Sequence, residues 1–400
     1  MCRAPRVSDP SCVPVTTIKS MFNPSLSDEQ KALRQLARQF AKNEIAPVAA
    51  EADRIEEYPW ELVEKAHAIG LINITVPDEY GGGGLGYFED CLVAEELSAA
   101  CAGVYSSFVA STLGLTPLNL AATPDQMERL LKPFCAEPAL AAFCLTEPGT
   151  GSDVASVRTR ASRDGDSYVL NGTKRFITNG GVAKLYTVTA TLDPKLRHKG
   201  LVLLVVPSDS PGVSTGKKEE KMGQRAADTR EVLFEDVRVP VENRLGEEGE
   251  GFQLVMETLD RIRAEVAAAA VGVGRAAMEA ALRYAKEREQ FSRPIASFQA
   301  IQFKLADMAI KLEAARLLVW QAAWLADQGV RNSCESAIAK CFAADSAMEI
   351  TTDAVQVFGG YGYIREYPVE KYMRDAKLLQ IYEGTSEIQR LVISRWLLRE

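Results

Sequence analysis

Histidine is nearly missing from this chain of 400 residues: only His67 and His198 occur, far apart. A His-rich metal site and a Ser-His-Asp triad are therefore poorly supported, and no metal ligand set is expected. His67 falls in an apparent helix and His198 in a charged loop, so both read as structural. C-x-x-C spacing is absent among the eight cysteines: Cys2, Cys12, Cys91, Cys101, Cys135, Cys144, Cys334 and Cys341. Their spread through apolar segments suits buried free thiols in a reducing compartment. A basic excess is lacking too. The net charge of -8 and pI near 5.2 disfavour a nucleic-acid binder, and an anionic ligand would need a local cationic pocket. No apolar run reads as long enough to span a membrane. Residues 1–24 hold Arg3, Arg6, Asp9 and Lys19 but no apolar signal-peptide core. They read as a disordered or tail segment, with a vestigial transit peptide as the alternative.

What is present is an ordinary globular composition, 47% hydrophobic and 25% charged, in a chain long enough for two or three domains. Residues 25–139 read as helical. Ser27-Asp28-Glu29-Gln30 looks like a cap before Leu33, Leu36, Ala37 and Phe40, and helical patterns recur at Pro59–Ile69, Tyr87–Ala102 and Pro124–Phe134. Residues 140–247 read as a β domain, barrel-like or sandwich-like. Ser167–Lys174 looks like a strand entering a tight Asn171-Gly172 turn, and Arg175–Gly181 repeats the signal. Further strands are expected at Leu185–Thr191, Gly200–Val206 and Glu231–Val239. Residues 248–400 return to helix, at Gly251–Gln290, Phe298–Gly329, Cys334–Phe358 and Glu387–Leu398. Their wide apolar faces suggest a bundle with subunit contacts.

Gly81–Gly86 satisfies G-x-G-x-x-G but lies in a helical region without the βαβ context of a dinucleotide site, so it reads as a flexible loop. Thr146–Asp153 combines glycines with hydroxyl side chains, which can bind phosphate or ring carbonyls or simply form a turn. Phe358–Tyr363 allows close approach of a flat partner or a helix C-cap. Glu383 follows Leu378–Tyr382, an apolar and aromatic run, and precedes Gly384-Thr385-Ser386. A carboxylate held against apolar neighbours has a raised pKa and can take a proton near neutrality. The same segment also reads as a helix start, with Thr385 or Ser386 as N-cap.

Together these segments resemble the acyl-CoA dehydrogenase family of flavoproteins, from about Ser27 to the C-terminus. The anchors are Leu145–Asp153, Phe176–Gly181, Phe234–Pro240, Arg288-Glu289-Gln290-Phe291, Phe298-Gln299, Gln356–Gly360 and Tyr382–Thr385. Lys221–Arg225, Asp228-Thr229-Arg230 and Tyr367–Lys371 look most like the medium-chain subfamily. The resemblance implies an N-terminal helical domain, a middle β domain and a C-terminal four-helix bundle. It also implies FAD, an acyl-CoA substrate, an electron-transfer flavoprotein as acceptor and a homotetramer built as a dimer of dimers, with no membrane insertion. Such a protein is cytoplasmic in a bacterium and in the mitochondrial matrix of a eukaryote.

By matching position, Glu383 would be the base that takes the α-proton, its own N–H polarising the thioester carbonyl. Phe143, Leu145, Thr146, Gly151 and Ser152 would line the flavin, with Phe176, Ile177 and Thr178 beside its ring. Arg288, Phe291, Phe298, Gln299, Gln356, Gly359 and Gly360 would come from a neighbouring subunit to the ADP half. Thr385 and Glu387 would close that site. Ser152, Asp260, Arg263 and Arg331 would contact the CoA arm, and Tyr382 and Gly384 the thioester. Tyr105 and Val109 would end the acyl pocket. Relatives that carry the base on a bundle helix have it where Ile262 stands, so this chain depends on Glu383. Phe176 replaces a common tryptophan, Ser292 a common glycine and Glu387 a common glutamine. An oxidase, a branched-chain or other specialised dehydrogenase, a CoA-dependent lyase or a non-catalytic CoA- or flavin-binding scaffold remain alternatives.

Overall fold

The structure is a computed structural model that describes residues 22–398. The tail expected for residues 1–24 falls, up to residue 21, outside them, as do Cys2 and Cys12. The capping box forms: the Ser27 hydroxyl accepts from the Gln30 N–H, and the Gln30 side chain accepts from the Ser27 N–H at 2.9 Å. It opens α1 (Asp28–Phe40), followed by α2 (Ala46–Ile55) and α3 (Glu61–Ala68). The Gly81–Gly86 loop is tightly sewn rather than slack, with Gly83 N–H donating to Asn73 O and Leu85 N–H to Ile74 O, both at 3.0 Å. A Cβ on Gly82 would strike the Val76 carbonyl, so the glycines there serve close packing.

Helix α4 (Tyr87–Ala121) runs well beyond the expected Tyr87–Ala102 and bends at Cys101, whose backbone is extended (φ -160, ψ 108). It is buried on nearly every side, so it lacks the one-sided periodicity that would have shown its length. By length and composition α4 could cross a bilayer, contrary to the expectation above; here it is the enclosed central helix of the fold. The expected Pro124–Phe134 helix is broken into α5 (Pro124–Gln126), a π-helical turn at Met127–Leu131 and α6 (Lys132–Cys135).

The β segment comprises β1 (Ala141–Cys144), β2 (Arg160–Asp164), β3 (Ser167–Thr178), β4 (Leu185–Thr191), β5 (Leu201–Pro207), β6 (Val213–Thr215), β7 (Thr229–Pro240) and β8 (Arg244–Leu245). They form one hydrogen-bonded sheet in the order β6-β7-β3-β2-β4-β5-β8, with β1 parallel to β4. Tyr168, Leu170, Val188, Leu204 and Phe234 fill a core of its own. Asn171-Gly172 is not a turn. β3 continues through it with a register shift against β7, and the Asn171 amide is spent on Asp236 at 3.0 Å. Gly172 allows strand β2 to pass where a Cβ would meet Thr159.

The bundle contains α7 (Gly251–Glu287), α8 (Gln299–Asp327) and α9 (Ser333–Phe358), with α10 (Val369–Leu379) and α11 (Ser386–Leu397) packed on α9. α10 was not foreseen. α7 lies along α4 so closely that a Cβ on Gly272 would collide with Ser98 Oγ and Glu95 O. Ser98 Oγ donates to Ala94 O at 2.6 Å and Ala269 O at 3.1 Å across that seam. At one end of it Glu96 is clasped by Arg38 at 2.8 Å and Arg275 at 2.7 Å, and Glu95 by Arg316 at 2.9 Å.

Replacing Gly272 by alanine should force the helices apart and cost about 1–3 kcal/mol, as overpacked cores do. Denaturant unfolding checks this: a stability equal to that of the parent would show that the seam yields freely.

Candidate active site

Glu383 sits in a turn between α10 and α11, at a φ of 54°, followed by Gly384 at 84°. A Cβ at Gly384 would meet the Gln389 amide 2.6 Å away, so glycine is required there by both backbone and space. Three groups clamp the turn. Lys340 Nζ donates to Gly384 O at 2.7 Å, and Gln389 Nε2 donates to Glu383 O at 3.1 Å and Gly384 O at 2.9 Å. Thr385 caps α11 by accepting from Ile388 N–H at 3.2 Å. The helix-start reading of this segment is thus correct, with Thr385 as the cap of α11. The Glu383 residue is only half-buried, yet its Oε2 is fully enclosed and has no partner among the described residues. Burial raises its pKa, opposed by the nearby charges of Lys340 and Arg263. A carboxylate so placed can accept a proton from a group brought beside it.

The structure also places a pair of acids that the sequence reading passed over. Tyr105, which is 3% exposed, donates its hydroxyl to Glu265 Oε1 at 2.6 Å. Glu265 lies beside Asp90, and Asp90 Oδ2 and Glu265 Oε2 are both buried without a hydrogen-bond partner among the described residues, a setting that favours the protonated forms. Burial first holds both above the ordinary carboxyl range; Asp327 adds to it at Asp90, where the contact with Glu265 works the other way, and Asp90 and Glu383 add to it at Glu265. Lys340 interrupts an otherwise apolar stretch of α9, a signal available in the sequence, whereas Asp90 and Glu265 stand among other charged residues and gave none.

The two segments assigned to a flavin do come together. Lys174 Nζ donates to Leu145 O at 3.0 Å and to Glu147 at 2.9 Å, and Arg175 N–H donates to Thr146 O at 2.8 Å. Glu147 also accepts from the N–H groups of Arg158 and Thr159, so it anchors the loop and is not free for a ligand. A second register shift in β3 turns Phe176 outward at a φ of 57° and 59% exposure. Ile177 is buried behind it, Thr178 is partly open, and Gly149 and Gly151 border open space. Phe143 is buried and Ser152 exposed. An exposed ring beside hydroxyls and open glycines fits a flat, phosphate-bearing cofactor such as FAD.

The remaining candidates lie apart from these. Arg288, Gly359 and Gly360 line one hollow of about 490 Å³ with Tyr284, Phe358 and Tyr361. Thr385 and Glu387 line another of about 520 Å³ with Asp345 and Arg390. Phe291 and Ser292 form the two-residue turn between short strands β9 (Glu289–Gln290) and β10 (Arg293–Pro294), both at positive φ (54° and 62°). Ser292 therefore occupies a conformation that glycine would adopt more freely. Phe291 is 88% exposed and packs edge-on to Phe298, whose neighbour Gln299 begins α8; Gln356 lies in the last turn of α9. Asp260 bonds both Arg263 and Ser333, and Arg331 reaches Ser333 at 3.2 Å, so Asp260, Arg263 and Arg331 converge while Ser152 is not part of that group. Tyr382 lies beside Gln224, and Val109 is buried in α4 near Tyr105. The six described cysteines are buried and free.

A helical, β and helical order around such a carboxylate is matched by known proteins throughout. Profiles of the acyl-CoA dehydrogenase N-terminal, middle and C-terminal domains match residues 27–138, 142–237 and 249–398. They define the class as FAD-dependent oxidoreductases. The mouse mitochondrial short-chain specific acyl-CoA dehydrogenase is 45% identical over 94% of this chain and 91% of its own. Butyryl-CoA dehydrogenase from Megasphaera elsdenii is 43% identical, with a TM-score of 0.92 over 95% of this chain and 100% of that one. A chain in the structure of the electron transferring flavoprotein of Acidaminococcus fermentans is 45% identical, with a TM-score of 0.93 over 95% and 100%. The chain belongs to the acyl-CoA dehydrogenase family.

The acid pair gives a pH signature. A carboxyl whose folded pKa is raised contributes stability that is lost as pH rises from its unfolded value, about 4, through its folded one. Asp90→Asn, which removes one ionising member and keeps a donor for Glu265, should therefore gain thermal stability over the parent across that rise. Melting curves from acid to neutral pH test it; a constant difference would show that the pair does not titrate as described.

Proposed function

We propose that the chain oxidises a straight-chain, short- to medium-length acyl-CoA to its trans-2-enoyl product, with Glu383 removing the α-proton. The observation that carries this reading is the enclosed, unpartnered Oε2 of Glu383 at a raised pKa. The proton leaves the α-carbon for this oxygen, and the electron pair it leaves behind forms the new double bond as hydride departs from the β-carbon. When bound, FAD supplies the acceptor for that hydride. Phe176, Thr178 and the Leu145–Ser152 loop would hold the ring. Arg288, Phe291, Phe298, Gln299, Gln356, Gly359 and Gly360 would serve a neighbouring copy's cofactor in a homotetramer, consistent with the separation of these hollows within one chain. Asp260, Arg263, Arg331 and Ser152 would meet the CoA arm. The backbone N–H of Glu383 would stabilise charge on the thioester oxygen.

The preference for short chains is supported by the short-chain and butyryl-CoA relatives, and an electron-transfer flavoprotein as acceptor by the Acidaminococcus structure. Tyr105, Phe108 and Val109, all buried, would end the pocket.

Glu383→Gln should fold and keep FAD and acyl-CoA binding, yet lose about 10³-fold or more in flavin reduction, because glutamine cannot accept the proton. Reduction within tenfold of the parent would move the base to another residue.

Each methylene buried contributes about 0.8 kcal/mol. The kcat/KM should therefore climb from butyryl-CoA and fall once the tail meets Tyr105. A panel from butyryl to palmitoyl, with isovaleryl and glutaryl thioesters, checks this. An optimum at palmitoyl, isovaleryl or glutaryl would overturn the assignment of the chain and leave the chemistry standing.

A further inference from the structure

Three lysines among the described residues are almost completely buried. Two of them are neutralised by contact: Lys174 by Glu147 at 2.9 Å and Lys371 by Asp375 at 2.6 Å. Lys340 differs. It is 0% exposed, it forms no ion pair among the described residues, and its ammonium donates to the carbonyl of Gly384, the residue after Glu383. Burying an unpaired ammonium is costly unless a diffuse negative charge offsets it. The negative group beside this turn is the unpartnered Glu383.

We propose that Lys340 is the positioning residue of the base: it fixes the Tyr382–Thr385 turn through Gly384 O and supplies the positive charge that lets Glu383 ionise inside its enclosure. This rests on the reading of Glu383 as the base. Burial draws the Lys340 pKa down to about 8, opposed first by Glu383 and then by Cys341 and Asp345. Other charged or titratable groups face Glu383 from the surrounding elements. Arg263 of α7 is already paired with Asp260, which weakens its field at Glu383. Glu265, also on α7, keeps its proton because it is buried against Asp90 of α4. Tyr382 in the same turn stays neutral through burial. Lys340 is therefore the one unneutralised cation among these groups.

The sign follows directly. Without that cation the carboxylate is harder to form, so Glu383 holds its proton to higher pH and the rise of rate with pH moves upward. Above the pH at which Lys340 loses its own proton the parent has no such cation either, and the difference closes. A hydrogen bond of purely structural value would instead change the rate equally at every pH.

The experiment compares Lys340→Met and Lys340→Arg as FAD-loaded enzymes. Flavin reduction by butyryl-CoA is followed across pH. In parallel, the Glu383 carboxyl band, identified by its loss in Glu383→Gln, is titrated by infrared difference spectroscopy without substrate. In Lys340→Met both the rate limb and the band should move up by roughly one pH unit or more, as for loss of a close opposite charge. In Lys340→Arg they should stay near the parent. An unmoved band overturns the proposal whatever the rates do. A moved band with an unmoved rate limb, or a Glu383→Gln enzyme that still turns over, keeps the Lys340 coupling and sinks Glu383 as the base. If Lys340→Met does not fold, the parent suffices: its Glu383 band must show a second displacement as Lys340 titrates, and a single simple titration would refute the coupling.

Discussion

Everything that distinguishes this site hangs on the contact between α4 and α7. The two helices approach to the limit set by Gly272, and the Ser98 hydroxyl bridges them by donating to carbonyls on both. At that separation there is no room for water between the backbones, so polar side chains along the seam must satisfy one another. They do so in two ways. Toward one end, Glu95 and Glu96 are covered by Arg38, Arg275 and Arg316. Toward the other, Asp90 and Glu265 lie together with no paired cation and burial favours their protonated forms, while Tyr105 donates to Glu265. One end of the seam is thus charged and neutralised, and the other is kept neutral by protonation. The bend at Cys101 falls after Asp90, Glu95 and Glu96 and before Tyr105, and the second half of α4 is tied to the sheet by Asn179, which donates to Ser107 O at 2.8 Å.

That bend also explains how a remote C-terminal turn comes to lie over an N-terminal-domain helix. Lys371 of α10 reaches Cys101 Sγ at 3.4 Å and pairs with Asp375, which in turn accepts from the Gln224 backbone. Gly103 gives Gln224 its place against α4, and Gln224 lies beside Tyr382. The backbone at Glu383 is left-handed, which costs a non-glycine residue about 1–2 kcal/mol. The turn keeps that conformation because Lys340, Gln389 and the Thr385 cap all grip it, and the result is a carboxylate aimed into an enclosure rather than into solvent.

Much of this was legible in the chain. The Ser27 cap and the bounds of α8, α9 and α11 within a residue or two followed from local pattern, and the adjacency of the Thr146 and Phe176 segments from the family resemblance. Local pattern failed where a long-range partner decides. Asn171-Gly172 carries the strongest turn signal in the sequence, yet β2 and β7 flank it and Asp236 takes its amide, so the strand passes through as a bulge. The length of α4 was invisible because complete burial erases amphipathic period. The acid pair was missed because Asp90 and Glu265 stand far apart in sequence and only the seam brings them together. Lys340 was missed because a single lysine in an alanine-rich helix ordinarily reaches solvent.

The acid pair also revises why a tail should end where it does. From the family resemblance, Tyr105 was expected simply to end the acyl pocket. In the structure its hydroxyl is already committed to Glu265, so it has no donor left for an incoming ligand. A carboxylate tail arriving here would meet two carboxyl groups that burial keeps protonated, with no cation among the causes that set their pKa. It would have to displace their protons or remain unpaired in a dry pocket, and both are costly. A methyl terminus disturbs neither the phenol nor the pair. On the proposed reading, the exclusion of charged tails and the raised pKa of Glu383 would share one physical origin, the burial of acids in desolvated surroundings.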